Sequence, residues 1–297
     1  RGTIEITDAI TKVGWRALVA SEGGQLIPSI TYAGGEHITL PLASKSPLVI
    51  WRNAKKLHQL IKTRNITLIH ARSRAPAWSA YYAAKWAGIP FVTTFHGVYG
   101  IDGKWKKRYN SVMTMGERVI AVSHFVYDHI IQEYGVDPTK VRLIHRGVDT
   151  KLFNPEKVVA DRLVALTKAW RLPEDEARPI IFCPGRITRI KGQTVLIDAL
   201  AQLPHRHFLC IIAGNDEGHE SYRDELQDQI IARGLEGYVY IAGNTQYMNE
   251  AYTLCDMVVI PSIVPESFGR TSIEAQAMGK LVIAADHGGV RETILPN

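Results

Sequence analysis

Ile180-Ile181-Phe182-Cys183-Pro184-Gly185-Arg186-Ile187-Thr188-Arg189-Ile190-Lys191-Gly192 decides the fold class of this 297-residue chain. The apolar run at its start predicts a buried strand, Ile180–Pro184, that ends at Gly185. Arg186 and Lys191 flank a turn, and helical periodicity follows near 193–202. Strand, loop and helix in that order make half of a βαβ unit, the building block of a parallel sheet. Working forward, the same alternation predicts strands at Phe208–Ala213, Tyr238–Ala242, Met257–Ile260 and Leu281–Ala284. The helices between them lie near 220–233, 247–254 and 271–278.

Working backward, a polar, Pro-flanked linker occupies 171–179, and a helix is expected at 158–170. An earlier alternating series precedes them. Its strands are expected at Trp15–Ala20, Ile38–Leu40, Thr67–His70, Pro90–Phe95, Val119–Val122 and Val141–Ile144. Its helices are expected near 48–63, 76–87, 105–116 and 124–134. The expectation is an α/β chain of two doubly wound domains, 1–170 and 171–297, facing a central cleft. Ligands of such sheets lie at the carboxyl ends of strands.

Composition bounds the function. With 46% hydrophobic and 22% charged residues the chain reads as a soluble globular enzyme. No window approaches the roughly 18 apolar residues of a membrane-spanning helix. Nothing resembles a signal peptide, so the expected location is cytoplasmic. Cys183, Cys210 and Cys255 each sit in an apolar run without metal or redox spacing, which predicts buried, reduced thiols. Residues 1–170 hold 24 Lys+Arg against 12 Asp+Glu, whereas residues 171–297 hold 11 against 17. Halves so different in charge suggest different partners, the basic one suiting an anionic acceptor or membrane surface. Nucleic acid is not expected, because no recognised motif or array of aromatics accompanies the charge.

Neither G-x-G-x-x-G nor G-x-x-x-x-G-K-[ST] occurs, which disfavours a dinucleotide dehydrogenase or a P-loop NTPase. H-E-x-x-H and D-x-D are also absent, so no metal site is expected and protein cations must neutralise any leaving diphosphate. Four constellations fall at strand ends. Arg186 and Lys191, after Gly185, supply such cations. Pro265-Glu266-Ser267-Phe268-Gly269-Arg270-Thr271-Ser272-Ile273-Glu274 runs from a loop into a helix whose first amides suit phosphate, with Glu266 and Glu274 suited to sugar hydroxyls. Thr94-Phe95-His96-Gly97 presents His96 past a strand; the plain alternative is a structural hydrogen bond. In Ala121-Val122-Ser123-His124, Ser123 is placed to cap the following helix.

Together these segments resemble the retaining GT-B glycosyltransferases of family 4 (glycosyltransferases group 1) over nearly the whole chain. The specific match is the paired-Glu motif from Glu266 to Glu274. It is supported in order by F-H-G at 95–97, V-S at 122–123, G-V-D at 147–149 and G-R…K-G at 185–192. The resemblance implies two Rossmann-like domains, the first on the acceptor side and the second binding the nucleotide sugar. It implies that Arg186 and Lys191, after Gly185, grip the donor diphosphate, and that Glu274 holds the ribose. Glu266 would contact the donor sugar beside Ser267, Phe268 and Gly269, and His96 would lie near the transferred sugar. A UDP- or GDP-linked sugar is then the substrate, no cofactor or metal is needed, and the reaction retains configuration.

Against the family pattern the chain looks truncated at both ends, lacking the first strand with its Gly-rich loop and the final strand and helices. His145-Arg146-Gly147 also stands where the family commonly has Pro-Asn-Gly. Arg72 and Arg74, with Ser123, are expected on the acceptor side, the arginines suited to phosphate or carboxylate. Lys104-Trp105-Lys106-Lys107-Arg108 has the character of a membrane-surface segment. The expected acceptor is a glycan or lipid-linked acceptor such as lipopolysaccharide core, with peripheral contact at the inner membrane face. The alternatives are a nucleotide-sugar epimerase of the same fold and a non-catalytic nucleotide-sugar-binding module.

Overall fold

The computed structural model describes residues 2–100, 103–173 and 176–295. The chain forms two compact units, one of residues 1–122 and 126–144, the other of residues 123–125 and 145–297. Part of the expected 171–179 linker (174–175) lies outside the described residues.

In the first unit α1 (Gly2–Lys12) leads to β1 (Leu18–Ser21), α2 (Ile27–Tyr32), β2 (Glu36–Thr39), α3 (Pro47–Arg64) and β3 (Ile69–Ala71). Then come α4 (Arg74–Ala87), β4 (Phe91–Phe95), α5 (Lys104–Asn110), β5 (Arg118–Ala121), α6 (His124–Tyr134) and β6 (Val141–Leu143). β1 and β2 pair in parallel, and β3-β4-β5-β6 form a parallel sheet in sequence order. α4 buries a small-residue face of Ala77, Ala80, Ala83 and Ala84. Small side chains bring it close enough to α3 for Ser79 Oγ to donate to the Ile50 carbonyl at 3.1 Å.

Three expectations shift here. The strand predicted at Trp15–Ala20 begins at Leu18, because Gly14 at φ +84° and the Trp15 N–H bond to the Ile10 carbonyl still belong to the exit of α1. Helix 105–116 is instead α5 followed by a separate 3-10 turn, Ser111–Thr114. Sequence reading missed α2, a six-residue helix with Pro in its first turn, where β-branched neighbours mask a short helical period.

The second unit runs α7 (Ala160–Ala169), β7 (Ile180–Pro184), α8 (Gln193–Ala201), β8 (Leu209–Ala213), α9 (Glu220–Ala232), β9 (Val239–Gly243), α10 (Met248–Leu254), β10 (Met257–Ile260), α11 (Arg270–Ala277) and β11 (Leu281–Ala284). The sheet is parallel, ordered β11-β10-β7-β8-β9. Successive strand residues point to opposite faces, and the central strands β7, β8 and β10 are covered on both, which is why they read as continuous apolar runs. Phe182, Leu209, Ile211, Val258 and Ile260 pack with Tyr252, Ala275 and Met278 on one face. Ile181, Cys183, Cys210 and Ile212 pack with Ile197, Leu226 and Ile230 on the other. Phe153, Leu166 and Trp170 join the first of these cores. That burial carries residues 145–170 into the second unit, so the compact units divide after Ile144 and not after residue 170.

Candidate functional site

Strand order reverses at β7, with β8 and β9 to one side and β10 and β11 to the other. Loops leaving such a reversal diverge, which makes the carboxyl ends of β7 and β10 the natural ligand position. The chain builds that position with close backbone contacts. A Cβ on Gly214 would lie 1.8 Å from the Gly185 carbonyl oxygen, and one on Gly192 1.9 Å from that of Pro261. Gly192 is also left-handed, at φ +68°. Ile263 N donates to the Ile190 carbonyl at 3.0 Å, so the loops after β7 and β10 are joined directly. Gln193 Nε2 donates to the Arg186 carbonyl at 2.9 Å. Beyond β11, Gly289 N donates to the Glu266 carbonyl at 2.7 Å, holding the Glu266 loop from its other side.

Side chains converge on this frame. Lys191 Nζ lies 2.7 Å from Glu266 Oε1, which also accepts from Ser262 Oγ at 2.6 Å. Burial raises the Glu266 carboxyl, but the charge and hydrogen bond of Lys191 and the Ser262 hydroxyl outweigh it and hold the group below its ordinary value. The pair expected to act separately on diphosphate and sugar is therefore joined in the unliganded chain. Arg186 is exposed, and its guanidinium has no partner among the described residues. Gly269, at φ +87°, is the N-cap of α11 and turns the chain so that Ser267 and Phe268 precede the helix start. Glu274 is buried within α11, its Oε2 3.4 Å from the Tyr252 hydroxyl and its Oε1 3.7 Å from Arg270 Nε. Tyr252 lies 22 residues from Glu274 and carries no motif spacing, which hid it from sequence reading.

The cysteines are all unbridged and buried, as expected. Burial pushes the Cys183 thiol, behind Gly185, up to about 12, where it is inert.

In the first unit, His96 follows β4 and is half-buried. Arg72 is half-buried beyond β3. Arg74 is engaged internally: its guanidinium donates to Asn110 Oδ1 at 3.0 Å and lies 4.5 Å from the Tyr99 ring centroid. His70 Nε2 lies 2.7 Å from Thr94 Oγ1, and burial, helped by the Arg72 charge, takes its pKa down to about 4. Trp105, within the basic α5, is 85% exposed.

Ser123 lies with the second unit, fully buried, and its hydroxyl donates to the Ser267 carbonyl at 2.5 Å. The amides at 124 and 125 go to Glu292: His124 N donates to Oε2 at 2.7 Å and Phe125 N to Oε1 at 2.9 Å. His145 Nε2 lies 2.9 Å from the same Oε2 and His124 Nδ1 3.0 Å from it. Burial raises the Glu292 carboxyl, but these four hydrogen bonds prevail and bring it to about 2. Sequence reading missed this cluster, since His145 and Glu292 are 147 residues apart.

Residues 1–152 match the family model for glycosyltransferase family 4 and residues 166–297 that for glycosyl transferases group 1. A glycosyltransferase structure from Rickettsia africae superposes with a TM-score of 0.89 at 40% identity, covering 99% of this chain and 77% of that one. HepE from Anabaena, solved with UDP and glucose, gives 0.82 at 24% identity over 100% of this chain and 80% of its own, a likeness of fold. A D-inositol 3-phosphate glycosyltransferase of Catenulispora acidiphila is 27% identical over 248 residues, 76% of this chain and 57% of that protein. The chain spans about half the length of the curated relatives it matches. Among the described residues no helix is long and apolar enough to cross a membrane.

Proposed function

The chain belongs to glycosyltransferase family 4, and from that premise we propose that it transfers a hexose from a nucleotide-diphosphate sugar, with retention, to a glycan or lipid-linked acceptor. One observation carries the reading. At the strand-order reversal Arg186, a cation without a side-chain partner among the described residues, stands on the loop from which Lys191 reaches Glu266. Arg186 and Lys191 stabilise the charge that develops on the departing diphosphate. Glu266 and the Ser267–Gly269 backbone bind the donor sugar, Glu274 binds the ribose, and His96 serves the transferred sugar. The Anabaena protein was solved with UDP-glucose, which supports a uridine or similar nucleotide donor. Donor arrival must share Lys191 between Glu266 and phosphate, so the ion pair acts as a placeholder for the ligand.

Calorimetric titration of UDP, GDP and ADP and their hexose conjugates tests this. One nucleotide should bind, and Arg186→Ala should weaken it by about 1.5–3 kcal/mol, the worth of a charge-assisted hydrogen bond. Failure of every nucleotide to bind the folded chain sinks the reading.

The acceptor we infer to be anionic, an envelope glycan such as lipopolysaccharide core met at the cytoplasmic membrane face. The basic first unit and exposed Trp105 support this, as does the phosphorylated acceptor named in the Catenulispora relative. Flotation with anionic and neutral vesicles checks the membrane part; equal recovery from both removes it.

A further inference from the structure

We propose that His124, His145 and Glu292 form a binding site for a divalent transition-metal ion of the Zn²⁺ class, with His124 Nδ1, His145 Nε2 and Glu292 Oε2 as ligands. The three ligand atoms lie within 4.8 Å of one another, and both nitrogens are 2.9–3.0 Å from the carboxylate oxygen. Two ligands of a tetrahedral ion with bonds of about 2.0–2.2 Å stand roughly 3.4 Å apart, so each nitrogen–oxygen pair widens by only a few tenths of an ångström while the two imidazole nitrogens, within 4.8 Å of each other, close on the ion. Two imidazoles and one carboxylate are a common donor set for zinc with an open fourth position. The side chains of His124 and His145 are 66% and 45% exposed, which leaves a route for the ion and for a water ligand.

The carboxylate is preorganised. Backbone amides of His124 and Phe125 hold both of its oxygens, the outer-shell support that fixes a ligating group. The Glu292 segment is anchored too: Thr293 Oγ1 lies 2.6 Å from Ser272 Oγ, and Gln276 Nε2 donates to the Thr293 carbonyl at 2.8 Å.

The location gives the ion a consequence. Phe268 lies against His145 with ring centroids 5.9 Å apart, and Ser123, adjoining His124, donates to the Ser267 carbonyl. Gly289, on the same short turn as Glu292, donates to the Glu266 carbonyl. An ion therefore clips three sequence-distant segments around residues 266–268. This consequence rests on the proposed donor role of that loop; the metal site itself does not.

The test is calorimetric titration of ZnCl₂ alone into the chain, without nucleotide. One ion per chain should bind. His124→Ala and His145→Ala should each weaken binding by at least the ~10–100-fold that loss of a mere outer-shell partner causes. His145→Gln keeps an N–H for Glu292 and should preserve the fold while losing the ion. Mg²⁺ should not compete, because imidazole-rich sites prefer later transition metals. The exposed pair His205 and His207 is the control, and alanine at both should leave the affinity unchanged. No uptake of Zn²⁺, or equal uptake by the His124→Ala/His145→Ala double variant, overturns the site. Intact zinc binding with no nucleotide binding would leave the site standing and remove only the donor reading.

Discussion

The two units share one building plan and differ in how they order their strands. In the first, β3, β4, β5 and β6 lie side by side in sequence order, so nothing in that sheet separates neighbouring loops. In the second the order reverses at β7, and the loops after β7 and β10 must part. The side chains follow suit. Lys191, Glu266 and Ser262 converge on one point at the reversal, and Arg186, exposed on the same loop as Lys191, has no side-chain partner among the described residues. Arg74, by contrast, is tied to Asn110 and Tyr99, and His70 to Thr94. Topology assigns the second unit its ligand position, while the first must build recognition from particular side chains.

The largest expected effect comes from crowding that reversal. Gly192 and Gly88 are both left-handed, at φ +68° and +67°, so alanine strains each backbone by the same ~1–2 kcal/mol. Gly88 has nothing within 4 Å of the added carbon, whereas Gly192 meets the Pro261 carbonyl at 1.9 Å. Gly192→Ala should therefore destabilise by about 4 kcal/mol or more, the range reserved for severe overpacking. Urea unfolding of both variants checks this. Equal losses would mean that the joined loops are not rigid, and the contrast between the units would fail.

Acid should separate the units next. His70 is held down from 6.5 to about 4, so between those values the unfolded chain takes a proton that the folded first unit refuses. Stability from this group is complete above pH 6.5 and lost as pH falls towards 4, on the order of 3 kcal/mol. Glu292 is held down from 4.5 to about 2, so its contribution is complete above 4.5 and lost as pH falls towards 2. The first unit should weaken before the second. Hydrogen exchange against pH resolves the two; His70→Gln should flatten the higher window and Glu292→Gln the lower. A first unit as acid-resistant as the second would refute the assignment of His70.

How much of this was legible in the sequence follows the same division. Strands Ile180–Pro184, Met257–Ile260 and Leu281–Ala284 come out with the residues expected, because each is an unbroken apolar run bounded by polar or turn-forming residues. β1 and β2 begin elsewhere, since polar residues stand within or beside their short apolar stretches and blur the ends. The cations at 186 and 191 and the carboxylates at 266 and 274 were legible because a loop and a helix turn keep them near in sequence. The ion pair that joins Lys191 to Glu266 spans 75 residues and was not. The bond from Ser123 to the Ser267 carbonyl, 144 residues away, was not legible either, because only tertiary packing brings that carbonyl within reach. His124, His145 and Glu292 come from three segments with no shared motif, and only the fold brings them together.

The smallest effect is also the sharpest discriminator, because it needs no ligand. Arg74 and Arg186 are both arginines at the carboxyl side of a strand, and charge alone does not tell them apart. Asn110 is fully buried, so truncating Arg74 removes a charged hydrogen bond and leaves a buried carbonyl oxygen short of its donor. Loss of the contact with Tyr99 adds a little more. Arg74→Ala should lower stability by about 1–2 kcal/mol. Arg186 has no such partner among the described residues, and its alanine variant should stay within about 0.5 kcal/mol of the parent. If Arg186→Ala destabilised the chain as much as Arg74→Ala, Arg186 would be a structural residue and the second unit would lose its poised cation. If the expected gap appears, an arginine without an internal role stands at the strand reversal, and a diphosphate is the ligand its position and charge suit best.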